Sequence, residues 1–267
     1  MTSPERLDHP LISIITITLN DHDGLIRTIE SLDKQAEEVA IEHLIVDGLS
    51  DYDVPALIAT LGWNARLHQG HDAGLYDAMN KGIGLANGDY LLFLNSGDEL
   101  AGTEVLASLV KVLEKDRPDF LYGDSLERQL DGEIYYKASR PLKRLPYGMI
   151  THHQAMVFSR AVLAEHAILY DLTYPIAADY GFVLDHVAHS HRVSYLPEAL
   201  CLFERGGTSY QKRHLGRLEQ FRIRRSVYGS TLFAAYVYTA QWALRTFRGL
   251  FPSGYWTIKR HLGGSNL

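Results

Sequence analysis

The sequence predicts an α/β fold, a mostly parallel sheet flanked by helices and followed by a C-terminal helical arm. Three observations predict it. The run Leu11 to Leu19, LISIITITL, is almost continuously apolar and β-branched, as a strand buried on both faces must be. Strand-like and helix-like patterns then alternate for more than a hundred residues, the signature of a doubly wound sheet. Finally, four strands in succession run into polar turns rich in Asp, Asn and Gly. That places the turns at the carboxyl edge of one sheet, where open α/β folds bind ligands.

Taken in order, the first strand is followed by a helix from about Leu25 to Gln35, with Ile26, Ile29 and Leu32 on one face. A second strand, His43 to Val46, enters the turn Asp47-Gly48-Leu49-Ser50-Asp51. Asp53 with Val54-Pro55 opens a second helix, because Pro in the first turn loses no hydrogen bond. Arg66 to His68 is a third, short strand, Leu75 to Ala86 a helix, and Tyr90 to Leu94 a buried strand bounded by Asn87-Gly88-Asp89 and Asn95-Ser96-Gly97-Asp98. A helix from about Glu104 to Glu114 and a strand Phe120 to Gly123 complete the alternation. Beyond Asp124 the pattern changes: a β-hairpin Glu127 to Tyr136 turning at Asp131-Gly132, a loop Pro141 to Ile150, a strand Gln154 to Phe158, a helix Asp179 to Ala188, and short strands Arg192 to Leu196 and Leu200 to Phe203. This second half reads as an insertion covering the first sheet.

With 46% hydrophobic and 22% charged residues in 267, the composition excludes disordered and fibrous classes. One cysteine, Cys201, leaves no intramolecular disulfide, and MTSPERLDHP lacks the apolar core of a signal peptide, so a cytosolic chain is expected. Charge is unevenly spread. From Gln211 onward ten basic residues face the single acid Glu219, a net +9, which leaves −15 on the first 210 residues of a chain totalling −6. Such a basic end calls for an anionic partner, a membrane surface or nucleic acid. Leu232 to Leu244 is too short and polar to span a bilayer, which takes about 20 apolar residues. With Arg245, Arg248, Lys259 and Arg260 beside Trp242, Phe247, Phe251, Tyr255 and Trp256, residues 211–267 read either as an interfacial helix pair on anionic lipid or as helices packed on the body or on a second subunit.

Several chemistries are excluded by motif context. Gly82, Gly84 and Gly88 close a helix instead of opening one after a strand, which rules out a dinucleotide fingerprint, and no GxxxxGK[ST] is present. The histidines show no zinc spacing. What remains is the set of polar turns: Asn20, then Asp47 and Ser50, then His71, Asp72 and Gly74, then Asn95 to Asp98. Carboxylates and amides there can accept hydrogen bonds from a base and ribose, and a hard cation can be held by one carboxylate together with nucleotide phosphates.

The segments IITITLN, VDGLSD, DAGLYDAMNKGIGLANGDYLLFLNSGDEL, HHQAMVFSR and AADY together resemble family 2 glycosyltransferases of the GT-A fold, particularly bacterial enzymes of exopolysaccharide, colanic-acid-like or O-antigen assembly. The resemblance covers roughly Leu11 to Ser209. It implies a glycosyltransferase domain over 1–210, with a nucleotide-sugar half to about residue 125 and an acceptor half from about 126, joined to the arm 211–267. It also implies an inverting, metal-dependent transfer from a UDP or GDP sugar to a lipid-linked or glycan acceptor at the inner face of the membrane, with no nucleic-acid partner. Residue by residue, Thr18 and Asn20 would line the nucleotide cleft and Asp47 contact the base. Asp72 and Asn80 would lie by the nucleotide and sugar with Asn95 and Ser96, Asp98 would bind Mn²⁺ or Mg²⁺, and Asp179 would be the catalytic base. His152, His153 and Gln154 fall on the acceptor side, and Gly206, Gly207 and Ser209 in a loop that closes over the diphosphate. Many relatives carry Asp at the positions of Asn95 and Gly97; here only Asp98 is acidic. Two other classes compete, a sugar-1-phosphate nucleotidyltransferase and a non-catalytic nucleotide- or glycan-binding module. The former needs a Gly- and Arg-rich loop where this chain has Leu19-Asn20-Asp21-His22.

Overall fold

The apolar run near the start of the chain is the centre of the sheet. In the computed structural model, which describes residues 10–36, 39, 41–206 and 212–250, β1 (Ile12–Thr18) is buried at every position. β2 (Ile41–Asp47) and β4 (Tyr90–Phe93) flank it in parallel, and β3 (Arg66–Gln69) adds to β2. The crossovers are α1 (His22–Ala36), α2 (Val54–Thr60) and α3 (Leu75–Leu85). Asp53 caps α2 as its sequence suggests, accepting from Ala56 N at 2.9 Å. The short β5 (Glu99–Leu100) and α4 (Val105–Asp116) lead to β6 (Phe120–Arg128).

The second half extends the sheet instead of covering it. β8 (Met156–Ser159) inserts between β4 and β6, antiparallel to both, and the order becomes β3-β2-β1-β4-β8-β6-β9-β5, with β7 (Ile134–Lys137) on β6. The reason is burial: Met156, Val157 and Phe158 are apolar on both faces and need neighbours on both edges. β1, β2, β3, β4, β6 and β9 therefore run one way and β5, β7 and β8 the other. The two strands expected after His191 are one, β9 (Val193–Glu204), with register irregularities opposite Gly123 to Ser125. β6 continues past Gly123 into the hairpin, residues 142–147 form a 3-10 turn, and Gln154 lies in a second 3-10 turn ahead of β8.

Two apolar layers enclose the sheet. On one face α3 and α6 (Ala178–Ala188) bury Tyr76, Phe93, Phe158, Tyr170 and Phe182; on the other, α4 buries Leu106, Leu109 and Leu113 against Ile12 and Ile14. A polar relay ties the central strands together. The Trp63 indole N–H donates to His43 Nδ1 at 2.7 Å, so the neutral ring carries its proton on Nε2 and donates to Thr16 Oγ1 at 2.9 Å, which donates to Leu94 O at 2.8 Å. Burial lowers His43 to about 3, which keeps the ring neutral.

The first helix of the basic end, α7 (Arg213–Tyr228), is fastened to the body. Glu219, 1% exposed, accepts from Ile176 N at 2.9 Å and Ala177 N at 2.8 Å, just ahead of α6. The fully buried Arg224 donates to Pro146 O and Tyr147 O and lies 5.1 Å from the Tyr180 ring centroid. α8 (Thr231–Leu250) packs back on α7 through Ala234 and Val237. No helix among the described residues is long and apolar enough to cross a membrane.

Candidate active site

The polar turns close on one another at the carboxyl edge. Asn20 takes a left-handed conformation (φ 54°), which a short amide side chain tolerates. Its backbone N donates to Ser50 Oγ at 2.8 Å and its Oδ1 accepts from Asp51 N at 2.7 Å, locking the turn after β1 to the turn after β2. Asp47 is fully buried and accepts from Ser50 Oγ (2.6 Å), Ser50 N (3.0 Å) and Gln69 Nε2 (3.0 Å). Asp72 folds over Gly48: a Cβ there would lie 2.6 Å from Asp72 Oδ2, while Oδ1 accepts from Gly74 N at 2.9 Å. Thr18 Oγ1 is buried without a hydrogen-bond partner, and the equally unpaired Tyr52 hydroxyl faces it. Thr18, Asn20, Asp47 and Asp72 thus share one cleft.

The fourth turn is held from α1. Thr28 Oγ1 donates to Asp98 O at 2.8 Å and accepts from Gly97 N at 3.1 Å, and Asp98 N donates to Asn95 O at 2.9 Å. Gly97 has φ +92°, a conformation side chains resist. Ser96 Oγ donates to Asp21 Oδ2 at 2.9 Å, and Asn95 Oδ1 is buried with no partner. Asp98, 5% exposed, accepts from Gln154 Nε2 at 2.7 Å and Glu204 N at 3.1 Å. Burial, reinforced by the charges of Glu204 and Asp21, raises its carboxyl to about 7. Among the described residues no group of three or more His, Cys, Asp or Glu is arranged to hold a metal. The oxygens that fit a hard cation are those of Asp98 and the orphaned Asn95 Oδ1, with phosphate oxygens needed to complete the shell.

Asp179 lies in the first turn of α6 and keeps partial solvent exposure, its Oδ1 accepting from Tyr180 N at 2.8 Å. Burial raises it to about 6, with the charge of Glu219 adding to the effect and the neighbouring Tyr76 hydroxyl opposing it. A chain of contacts joins it to Asp98. Tyr76 stacks on Tyr170 (5.4 Å between centroids), the Tyr170 hydroxyl meets His153 Nε2 at 2.9 Å, and the next residue, Gln154, holds Asp98. His153 is enclosed by Phe93, Phe158, Tyr170 and Phe182 and lowered by burial to about 3. His152 stacks on Phe203 (4.3 Å) and touches Ser125 and Glu127, whose carboxyl the contact with His152 lowers to about 2.

Asn80 stands apart from the cleft's open polar groups: both atoms of its amide clamp the Tyr170 backbone, at 2.9 and 2.8 Å. Gly206 closes β9, whereas Gly207 and Ser209 lie outside the described residues. Sequence reasoning missed Thr28, Tyr76, Tyr170 and Glu219. Nothing in the local pattern separates Tyr76 and Tyr170 from other aromatics, or Thr28 from other residues of its helix. Only Glu219 carried a signal, as the sole acid of a basic end.

A mostly parallel sheet flanked by helices, with polar turns at the carboxyl ends of its central strands, is the architecture of the GT-A glycosyltransferases. Residues 13–171 match the model of the family described as Glycosyl transferase family 2, and the chain belongs to that family. A glycosyltransferase of Mycobacterium tuberculosis (strain H37Rv) is 37% identical over 182 residues, 66% of this chain and 68% of the relative. A PGL/p-HBAD biosynthesis glycosyltransferase of Mycobacterium bovis (strain BCG) is 33% identical over 178 residues, 65% and 68% of the two chains. The fold is shared with S. aureus TarS in complex with UDP-GlcNAc (TM-score 0.66, 18% identity, 88% of this chain and 72% of that one). It is shared too with a mannosyltransferase from Pyrobaculum calidifontis in complex with GDP-Man and Mn²⁺ (TM-score 0.62, 15% identity, 94% and 84%).

Proposed function

We propose that the protein is an inverting, metal-dependent glycosyltransferase that moves a sugar from a UDP or GDP donor to a lipid-linked or glycan acceptor of surface polysaccharide, working at a membrane surface through residues 211–267. The observation that carries this reading is Asp179: a partly exposed carboxylate, raised to about 6, tied by Tyr76, Tyr170 and His153-Gln154 to the carboxylate at the donor turn. Neighbours that bind UDP-GlcNAc and GDP-Man lend support to a nucleotide-sugar donor.

The chemistry follows from the placement of these groups. Asp179 is ionised at neutral pH yet more basic than a free carboxylate, which suits a general base. It takes the proton of an acceptor hydroxyl as that oxygen bonds to the anomeric carbon. The bond from that carbon to the diphosphate oxygen breaks with its electron pair, and attack from the opposite face inverts the centre. Asp98 and Asn95 would hold the Mn²⁺ or Mg²⁺ that accompanies the diphosphate, and such a cation, when bound, supplies Lewis-acid stabilisation of the leaving group. Asp47 and Asp72 would face the nucleoside, and Asn80 would act by holding Tyr170.

The test begins with a thermal-shift screen of UDP and GDP sugars with Mn²⁺, since a bound donor stabilises the fold by mass action. With a donor in hand, Asp179→Asn is expected to keep the donor-induced shift and lose turnover by about 10²- to 10⁴-fold. Wild-type turnover in that variant would remove Asp179 as the base.

A further inference from the structure

Beyond the donor cleft, two tyrosines meet on one buried carboxylate. Asp124, 3% exposed, accepts from the Tyr195 hydroxyl at 2.9 Å and Ser139 N at 2.7 Å on Oδ1, and from the Tyr136 hydroxyl on Oδ2. Tyr195 stacks on the buried Tyr122, with centroids 5.1 Å apart and planes 28° from parallel. One face of Tyr195 is therefore covered and the other open; Tyr195 remains 46% exposed and Tyr136 47%. Exposed tyrosines ordinarily swing freely, but here both hydroxyls are pinned, so the rings are fixed before anything binds. Ordering cost on binding is thereby reduced. Ser139 lies beside Tyr195 and offers a hydroxyl at its rim.

We propose that Tyr195 and Tyr136 form a preorganised platform for a pyranose ring of the acceptor, its C–H face on the aromatic rings and its hydroxyls toward Ser139 and the solvent-facing rim. A pyranose fits this chemistry because it presents an apolar face and an equatorial fringe of hydroxyls, matching flat rings with a polar edge. The position suits an acceptor. The segment that begins at Ser139 on the platform reaches Leu145 and Pro146, whose carbonyls both accept from the hydroxyl of Tyr180, the residue after the base, at 3.0 Å. The platform rests on the transferase reading for its role, although not for its affinity for sugar.

Saturation-transfer NMR on the full chain tests it, irradiating the aromatic protons in the presence of methyl β-D-glucopyranoside, methyl β-D-galactopyranoside or methyl α-D-mannopyranoside. Saturation is expected at the axial ring protons of at least one glycoside. Tyr195→Ala and Tyr136→Ala should each weaken binding about three- to tenfold, the range of one aromatic contact. Tyr195→Phe keeps the ring on Tyr122 and should retain most of it, and melting curves check that each variant is folded. No saturation from any glycoside, or an undiminished signal in Tyr195→Ala, would overturn the platform. Calorimetry with UDP and GDP on the same proteins separates the two readings: nucleotide binding without sugar binding sinks the platform alone, and sugar binding without nucleotide binding sinks the donor assignment alone.

Discussion

Asp98 shows the stability cost of one buried carboxylate. Its carboxyl is raised to about 7, from the 3.8 of a free aspartate. Between those values the unfolded chain has released the proton that the folded chain keeps, so the Asp98 contribution to stability is complete at low pH and is lost as pH rises towards 7. The buried histidines act in the opposite sense. His43 and His153, lowered to about 3, and His186, lowered to about 4, stay neutral in the fold, and their contribution is lost as pH falls below the unfolded value of 6.5. Subtracting the melting profile of Asp98→Asn from that of the wild type isolates the carboxylate. The wild type should lose stability relative to the variant from about pH 4 to 7.5, by at most about 4 kcal/mol at 1.36 kcal/mol per pKa unit. Mn²⁺ with UDP should restore the wild type at pH 7.5 and leave the variant unmoved. A parallel pair of profiles, or equal rescue of both proteins, would show that Asp98 neither titrates in this range nor holds the cation.

At the level of elements, α3 joins the cleft of Asp47 and Asp72 to the core, and its glycines divide by what surrounds them. A Cβ on Gly82 would stand 2.6 Å from Ile15 Cγ2 on β1, whereas Gly84 has open space around it. Gly82→Ala should therefore destabilise by about 1–3 kcal/mol through overpacking. Gly84→Ala should stabilise by about 0.5 kcal/mol, the propensity gain of an open helical site. Urea unfolding of the pair would show opposite signs; the same sign for both would mean that α3 is not seated on β1 through Gly82. The spacing of these glycines was readable from the sequence, but their environments were not, because which helix face meets which strand is a tertiary fact. The same division runs through the fold. β1, β2, β4 and α2 were legible from apolar runs and the Asp53-Val54-Pro55 start, since those signals are local. The insertion of β8 between β4 and β6 was not, because pairing two distant strands leaves no trace in either segment's own pattern. Likewise the turns holding Asp47, Asp72 and Asp98 could be placed at one edge, while the link from Asp98 through Gln154 and Tyr170 towards Asp179 depends on contacts between separate segments, 56 residues apart for Asp98 and Gln154 and 17 for His153 and Tyr170.

For the molecule as a whole, the basic end divides into a helix that belongs to the body and one that faces outward. Glu219 and Arg224 fix α7 to the backbone ahead of Asp179 and to the turn at Pro146 and Tyr147, so whatever α8 binds is held in fixed relation to α6. Along α8, Ala234 and Val237 face the body, and a helix turning 100° per residue places Leu232, Tyr236, Ala243, Phe247 and Leu250 on the opposite side, over about 27 Å. Leu232 is 85% exposed, Tyr236 65% and Leu250 68%, an outward apolar stripe unlike the polar face of an ordinary surface helix. The charged residues of α8, Arg245 and Arg248, are both basic, and Arg222 and Arg225 on α7 are exposed. An outward apolar stripe on a helix whose only charges are positive, next to a basic α7, suits an anionic bilayer surface. The full chain should therefore co-sediment with phosphatidylglycerol-containing vesicles, less with phosphatidylcholine alone, and less as salt rises. Leu232→Glu with Tyr236→Glu should reduce vesicle affinity at least about tenfold, since each side chain is worth about 1.5–3 kcal/mol on burial, and should leave UDP binding intact. Absence of vesicle binding at low salt, together with a dimer in sedimentation velocity that the same double variant dissociates, would assign the stripe to a second copy of the chain.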